Sequence, residues 1–212
     1  MEPFTTLRGV AAPLMQEAIN TDVIFPARFL LVMERRDLGR YLFHDQRRGA
    51  DGRATGEFIL DRPAFAGASI LIAGAAFGCG SSREQAVWTL LGAGIRCVIA
   101  PSFGEIFYAN CFKNGLLPVV LPGEAVAGLA ALTERGARLE VDLAAQTVTA
   151  DSEMPIPFAI APERRATLLG GLDEIDEILV GSGEQISGFE ARHRRRQPWL
   201  FENQPQQLGE SE

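Results

Sequence analysis

The most regular hydrophobic pattern in the chain lies between positions 68 and 136. Ala68-Ser69-Ile70-Leu71-Ile72-Ala73 is a continuous apolar run, as expected of a strand buried on both faces. A glycine-rich loop follows from Gly74 to Gly80. Ser82 to Leu91 then reads as a helix that stops at Gly92-Ala93-Gly94. Cys97-Val98-Ile99-Ala100 is a second buried strand. Ser102-Phe103-Gly104-Glu105 has the spacing of a capping box and opens a helix to about Lys113, which Asn114-Gly115 ends. Leu116 to Leu121 is a third strand, and Glu124 to Arg135 a further helix closed by Gly136. Strands alternating with helices predict an α/β fold around a central parallel sheet with right-handed crossovers.

The flanks are less periodic. Leu7 to Leu14 reads as one short strand ended by proline, and Asn20 to Pro26 as a turn before a short apolar run. Arg28 to Arg40 mixes apolar and basic residues, and Asp45 to Gly56 is a polar, glycine-rich loop. Beyond the regular block, Arg138–Asp142, Thr147–Ala150 and Ile156–Ile160 predict short additional strands, and Pro162–Leu169 a short helix with proline near its first turn. The basic stretch His193 to Arg196 precedes a Gln/Glu-rich end. Residues 1–200 are expected to form a single domain, with 201–212 a disordered tail.

Composition narrows the function classes. The chain has 212 residues, 47% of them hydrophobic and 22% charged, which is ordinary for a folded domain. A net charge of −7 argues against non-specific nucleic-acid binding. There is no apolar run of the roughly 18 residues needed to span a membrane, and no secretory signal at the start, so a cytoplasmic location is expected. Three scattered cysteines, Cys79, Cys97 and Cys111, and two histidines, His44 and His193, form no C-x-x-C or H-x-x-x-H. Such a chain is expected to hold no metal or iron–sulfur cluster by itself, and another chain would have to bring one.

Chemistry concentrates in Phe77-Gly78-Cys79-Gly80-Ser81-Ser82-Arg83-Glu84-Gln85. This loop follows a buried strand and runs into a helix start, where open α/β sheets bind ligands and free N–H groups attract anions. Gly80 allows close backbone approach, Ser81 and Ser82 add hydroxyls, and Arg83 can grip a carboxylate through two parallel hydrogen bonds. The plainer alternative is that Ser81 with Glu84, or Ser82 with Gln85, is a helix cap. The G-x-G-x-x-G, P-loop and G-x-S-x-G patterns are absent. A phosphate- or nucleotide-binding module is therefore the weaker reading. Cys79 reads either as a nucleophile without an evident base or as a small loop-packing residue.

Phe77 to Glu84, together with Val98-Ile99-Ala100-Pro101-Ser102-Phe103 and Asn114-Gly115-Leu116-Leu117-Pro118, resembles the small-subunit family of 3-isopropylmalate dehydratase in the aconitase superfamily. Asn20 to Leu30, Gly171-Leu172-Asp173 and Phe189 to Pro198 are similar to further family motifs, in the expected order over about residues 4–200. The resemblance implies a swivelling β/β/α domain, like the C-terminal domain of aconitase made as a separate chain. It implies a hydro-lyase of leucine biosynthesis, a branched-chain amino-acid pathway, that interconverts 2- and 3-isopropylmalate by dehydration and rehydration. It also implies a large-subunit partner carrying a [4Fe-4S] cluster, in a heterodimer or heterotetramer, and a small dicarboxylate substrate.

By the same resemblance, Ser81 matches the general base and Arg83 the carboxylate-binding residue, with Ser82 and Gly80 beside them. Thr21 and Asp22 match a motif facing the cleft, where Asp22 either orients an arginine or caps its own turn. Arg28 to Arg36 corresponds to the substrate-selecting loop: Leu30, Leu31 and Val32 would meet the substrate side chain, and Arg35 or Arg36 would clamp a second carboxylate unless they form a solvated face. Gln85, Val87 and Asp176 depart from the family's histidine, proline and glycine. They leave open a related diacid such as citraconate, maleate or a methylated malate.

Overall fold

The computed structural model describes residues 1–31, 35–49, 51–80, 83–151 and 153–201, without the side chains at positions 35, 36, 174 and 177. Ser81, Ser82, Val32 and the expected tail from 202 lie outside the described residues, as do the side chains of Arg35 and Arg36. Two compact units are present, one from Met1 to Asp173 and one beginning at Glu174.

In chain order, the first unit holds β1 (Thr6–Gly9), β2 (Ala11–Leu14), α1 (Thr21–Ile24), α2 (His44–Arg47), β3 (Ile70–Ala73), α3 (Gln85–Gly92) and β4 (Cys97–Ala100). It continues with α4 (Glu105–Asn114), β5 (Leu117–Val120), α5 (Gly123–Glu134), β6 (Leu139–Asp142), β7 (Thr147–Ala150), β8 (Ile156–Pro157) and α6 (Pro162–Gly170). Short 3-10 turns at 27–29, 35–41, 59–61 and 63–65 fill the segment between β2 and β3. The second unit holds α7 (Glu174–Arg196) and a turn at 198–200.

The predicted parallel sheet is present, with strand order β2-β3-β4-β5. The sheet is buried on both faces. Ile70, Ile72, Cys97, Ile99, Leu117 and Val119 join one core with α5 and the inner residues of β6 and β7. Leu71, Ala73, Val98 and Ala100 join a second core with α3, α4 and the segment 19–43. Alternate residues of one strand thus enter opposite cores, and for that reason β3 and β4 read as unbroken apolar runs. Pro13 and Pro118 sit on the two edge strands, β2 and β5, where a missing N–H breaks no interior ladder.

The predicted strand over 7–14 is two strands in two sheets. β1 pairs antiparallel with β6 in the order β1-β6-β7-β8, whereas β2 pairs parallel with β3. The chain crosses between them at Gly9 and Val10. A Cβ on Gly9 would lie 2.0 Å from the Ser69 hydroxyl, so a larger residue at the crossing requires that hydroxyl to rotate away. One predicted helix start and one predicted cap are also corrected. Helix α3 starts at Gln85 rather than Ser82, and no side-chain cap bond closes its start at Glu84. Ser102 does not cap α4, whose first flanking residue is Gly104; its Oγ accepts the Ala76 N–H instead, at 2.9 Å. Finally, α7 is not legible as a helix in the sequence, because Gly181, Gly183 and Gly188 interrupt its pattern.

Ile72 is fully buried in the centre of the first core. Ile72→Ala is expected to cost about 2–5 kcal/mol, and Ile72→Val about 0.5–1.5 kcal/mol. Urea unfolding with an unchanged slope and a lowered midpoint is the expected result, and a midpoint unmoved by the alanine variant would contradict this placement.

Candidate active site

Beyond the C-terminal ends of β2, β3 and β4, the chain continues as three loop segments in the same lateral order. The middle one, residues 75–80, is bonded on both sides. On one side the Gly78 N–H donates to the Ile19 carbonyl at 2.7 Å, the Thr21 N–H to the Cys79 carbonyl at 3.0 Å, and the Ala18 N–H to the Ala75 carbonyl at 2.8 Å. On the other side the Phe77 N–H donates to the Ser102 carbonyl at 3.1 Å and the Gly104 N–H to the Phe77 carbonyl at 2.9 Å. Phe77 and Phe107 meet edge to face below, with centroids 5.5 Å apart. Gly78 has φ +71°, and a Cβ there would lie 2.2 Å from the Phe107 ring, so this position excludes any other residue. Gly80, also in the left-handed region at φ +90°, leads directly toward Ser81.

This lacing brings Asp22 and Arg83 together across the loop. Arg83 Nη1 donates to Asp22 Oδ1 in an ion pair. The Arg83 side chain is 21% exposed and that of Asp22 50%, so the pair sits at the rim of the site with the guanidinium largely enclosed. Asp22 lies in the first turn of α1, whose start is capped by Asn20 Oδ1 accepting the Val23 N–H at 2.9 Å. Asp22 therefore does not cap its own turn; it is turned to the arginine. Thr21 is buried, and its backbone holds the loop.

A second anchor is not evident from the sequence. Glu84, next to Arg83, accepts from Asn114 Nδ2 at 2.8 Å, and Asn114 Oδ1 accepts from Trp88 Nε1 at 2.7 Å. Asn114 Nδ2 also donates to the Asn110 carbonyl at 2.9 Å. The last residue of α4 thus fixes the start of α3. In sequence Asn114 reads as a helix stop and as part of a family motif, with nothing that ties it to Glu84.

The substrate-loop residues lie elsewhere on the 27–41 segment. Leu30 is half-buried, while Leu31 is 91% exposed. Arg28 is already engaged: its Nη1 donates to Asp45 Oδ2 at 2.9 Å, and its Nη2 lies 3.1 Å from His44 Nδ1. The hydrogen bond from Arg28, helped by His44, lowers the Asp45 carboxyl to about 2. In sequence Asp45 reads only as the start of a polar loop, and nothing there ties it to Arg28.

The cysteines do not fit an iron–sulfur cluster. Cys97 and Cys111 are fully buried, each in a different core, and burial pushes both thiols up, away from the ligating thiolate. Cys79 Sγ donates to the Ala18 carbonyl at 3.4 Å. Among the described residues no group of three His, Cys, Asp or Glu side chains is arranged to hold a metal ion.

A loop laced at the carboxyl end of a parallel sheet, with an arginine at the following helix start, defines the class: the aconitase C-terminal domain, whose family profile matches residues 1–124. The LeuD_N profile matches residues 127–162, and the profile for the C-terminal domain of the 3-isopropylmalate dehydratase small subunit matches residues 182–203. The chain is 49% identical over 203 residues to the 3-isopropylmalate dehydratase small subunit of Rhodospirillum centenum, covering 95% of this chain and 100% of that one. Identity to the small subunit of the same name from Paracoccus denitrificans is 46%, over 94% of this chain and all of the relative. A solved 3-isopropylmalate dehydratase from Methanocaldococcus jannaschii shares the fold, with a TM-score of 0.62 and 24% identity over 87% of this chain and 99% of that one. The chain belongs to the 3-isopropylmalate dehydratase small-subunit family, as the motifs in its sequence imply.

The lowered Asp45 carboxyl sets a pH dependence. Its contribution to stability is complete above the ordinary carboxylate range and is lost as pH falls through about 2. Arg28→Ala should raise the Asp45 titration toward that range in carbon-detected NMR. The loss of stability at neutral pH should be small, because the Arg28 and Asp45 side chains are 52% and 56% exposed. An unchanged Asp45 titration would contradict the pairing.

Proposed function

We propose that this chain is the small subunit of a 3-isopropylmalate dehydratase, a hydro-lyase that interconverts 2-isopropylmalate and 3-isopropylmalate through an alkene diacid. The observation that carries this reading is the full-length similarity to small subunits of that name, joined to a half-enclosed arginine held at a helix start above the sheet. On this reading the [4Fe-4S] cluster belongs to a large subunit, the active complex is cytoplasmic, and the substrate closes the cleft between the two chains. No helix among the described residues is long and apolar enough to cross a membrane.

Arg83 is assigned to a substrate carboxylate. A guanidinium has five N–H donors, and the contact with Asp22 uses Nη1. Asp22 thus fixes the plane of the fork while other donors serve the ligand. Ser81 is assigned as general base: it takes the C–H proton as the neighbouring C–O bond breaks, and return of water in the opposite sense gives the isomer. A serine oxygen is a weak base unless its anionic form is stabilised, and backbone N–H groups at a helix start supply that stabilisation. Ser82 and Gly80 complete the loop around the carboxylate. Leu30, Leu31 and Val32 are assigned to the substrate's isopropyl group, and Arg35 or Arg36 to its second carboxylate. The exposure of Leu31 is consistent with an apolar contact completed only when substrate and partner are present.

A related diacid is the second reading, and it rests on Gln85, the first residue of α3. Val87 bears on it less, because that side chain is fully buried in the second core and affects packing rather than ligand contact.

The test is activity on 2-isopropylmalate, followed by alkene absorbance, after the chain is combined with a cluster-bearing large subunit. Arg83→Lys keeps the charge but loses the fork; kcat/KM should fall by roughly 10²-fold or more while the complex still assembles. Near-normal kinetics would show that Arg83 is a surface charge.

Ser81→Ala should lower kcat by roughly 10²–10⁴-fold with little change in stability. Ser82→Ala serves as the control, since it removes the same hydroxyl one residue on. If both variants instead lose only about 0.5–2 kcal/mol of stability and keep their kcat, the serines are helix caps and the general-base assignment fails.

A further inference from the structure

Between β2 and β3 the chain carries basic residues that the proposed activity leaves unused. Three stretches of this segment converge on a cavity of about 270 Å³, lined by Arg40, His44, Arg47, Arg48, Ala54 and Asp61. Arg40 comes from the turn at 35–41, His44 and Arg47 from α2, and Asp61 from the turn at 59–61. Arg48 and Ala54 pair across an antiparallel bridge. Around it the Thr55 N–H donates to the Arg47 carbonyl at 3.0 Å and the Gly49 N–H to the Arg53 carbonyl at 2.9 Å. The polar, glycine-rich stretch over 45–56 thus supplies a wall of the cavity.

The lining carries an excess of positive charge. Arg47 is committed to Asp61: its Nε donates to Asp61 Oδ1 at 3.1 Å and to Oδ2 at 3.0 Å. Arg48 Nη1 donates to the Gly52 carbonyl at 3.0 Å, a neutral partner. Arg40 makes no hydrogen bond or ion pair among the described residues; its guanidinium lies 4.8 Å from the centre of the Tyr41 ring. His44 turns Nδ1 to Arg28 and Asp45, at 3.1 and 3.2 Å, which leaves Nε2 as its other hydrogen-bonding atom. Arg40 and Arg48 therefore bring two positive charges to one small cavity, and among the described residues neither has a carboxylate partner.

Like charges around one space repel, and on a solvated face long arginine side chains spread apart. Here they are held. Arg40 rests on Tyr41, whose ring stacks on Phe29 with centroids 4.3 Å apart, and the His44 ring lies 4.8 Å from the same phenylalanine. Donors fixed in advance lower the ordering cost of binding. Their arrangement identifies the ligand. They arrive from separate stretches of chain rather than in one plane, which suits the tetrahedral oxygens of a phosphate better than the flat pair of a carboxylate. Two arginines match the charge of about −1.5 to −2 that a phosphate monoester carries at neutral pH. The volume lies below the roughly 300 Å³ at which pockets for drug-sized ligands begin, so it suits a phosphate with at most a short organic group.

We propose that this cavity binds a phosphate group, as inorganic phosphate or as a small monoester, through Arg40, Arg48 and His44, with the Arg47–Asp61 pair as its frame. None of these residues is assigned to the isopropylmalate reaction, so the site does not depend on the proposed activity.

Calorimetric titration of the full-length chain with inorganic phosphate, in a phosphate-free buffer of low ionic strength, tests this. One phosphate should bind per chain, and Arg40→Ala and Arg48→Ala should each weaken it roughly 10-fold. Both arginines are exposed, so circular dichroism and the Tm without phosphate should not change. Arg83→Ala should leave the phosphate affinity as it is, which separates the cavity from the candidate active site. Glycerol 3-phosphate distinguishes the two sources: tighter binding than inorganic phosphate assigns the cavity to a monoester, weaker binding to free phosphate, and both support the site. A signal no greater than that of chloride at equal ionic strength would overturn the proposal. Binding that survives Arg40→Ala and Arg48→Ala together would overturn it equally. So would displacement of phosphate by an equal concentration of malate, which would make the cavity a diacid site. Its failure leaves the proposed activity untouched, since that is read on isopropylmalate turnover.

Discussion

The candidate site depends on one constraint: residues 75–80, just after β3, have little room to relax. Its backbone is bonded to the loops on both sides, from the Gly78 N–H to the Ile19 carbonyl and from the Phe77 N–H to the Ser102 carbonyl. Below it, the ring of Phe107 occupies the space a side chain at position 78 would need. Backbone bonds continue the order of the parallel strands past their ends, so the rigidity of the sheet extends into the loop. An arginine at the end of such a loop is positioned before any ligand arrives, which lowers the ordering cost of binding. The Glu84–Asn114–Trp88 contacts anchor the other side of that arginine to α4.

The electrostatics follow the same economy. The chain is net acidic, and several of its arginines are matched singly with carboxylates: Arg28 with Asp45, Arg47 with Asp61, Arg96 with Glu2 and Arg83 with Asp22. Arg47 and Asp61 are the most enclosed of these pairs, with side chains 28% and 16% exposed, and they brace the irregular segment between β2 and β3. In the Arg83–Asp22 pair the guanidinium is largely enclosed and the carboxylate is half in water. On the proposed reading, a substrate carboxylate would add to this pair rather than having to break a buried one, which would be far more costly.

The cysteines show how the same residue type is put to plain structural use. Cys97 and Cys111 fill the two cores as small apolar groups. Their use in packing leaves neither as an exposed thiolate ligand. What the fold holds in place instead is geometry: an arginine and a helix start set against the sheet.

The sequence by itself determined the parallel sheet, because strands buried on both faces must be apolar at every position and glycine must punctuate their ends. It also determined the family, through Phe77 to Glu84 and the motifs that follow in order. Only the tertiary structure decided that residues 7–14 serve two sheets, since a strand's apolar pattern does not say which neighbour will pair with it. Only the tertiary structure turned Asp22 toward Arg83, assigned the cap of α1 to Asn20, and made Ser102 a brace for Ala76 rather than a cap for α4. In each case a short polar side chain has several local partners of similar energy. The choice among them was made by segments distant in sequence, whose approach is fixed by the packing of the sheet.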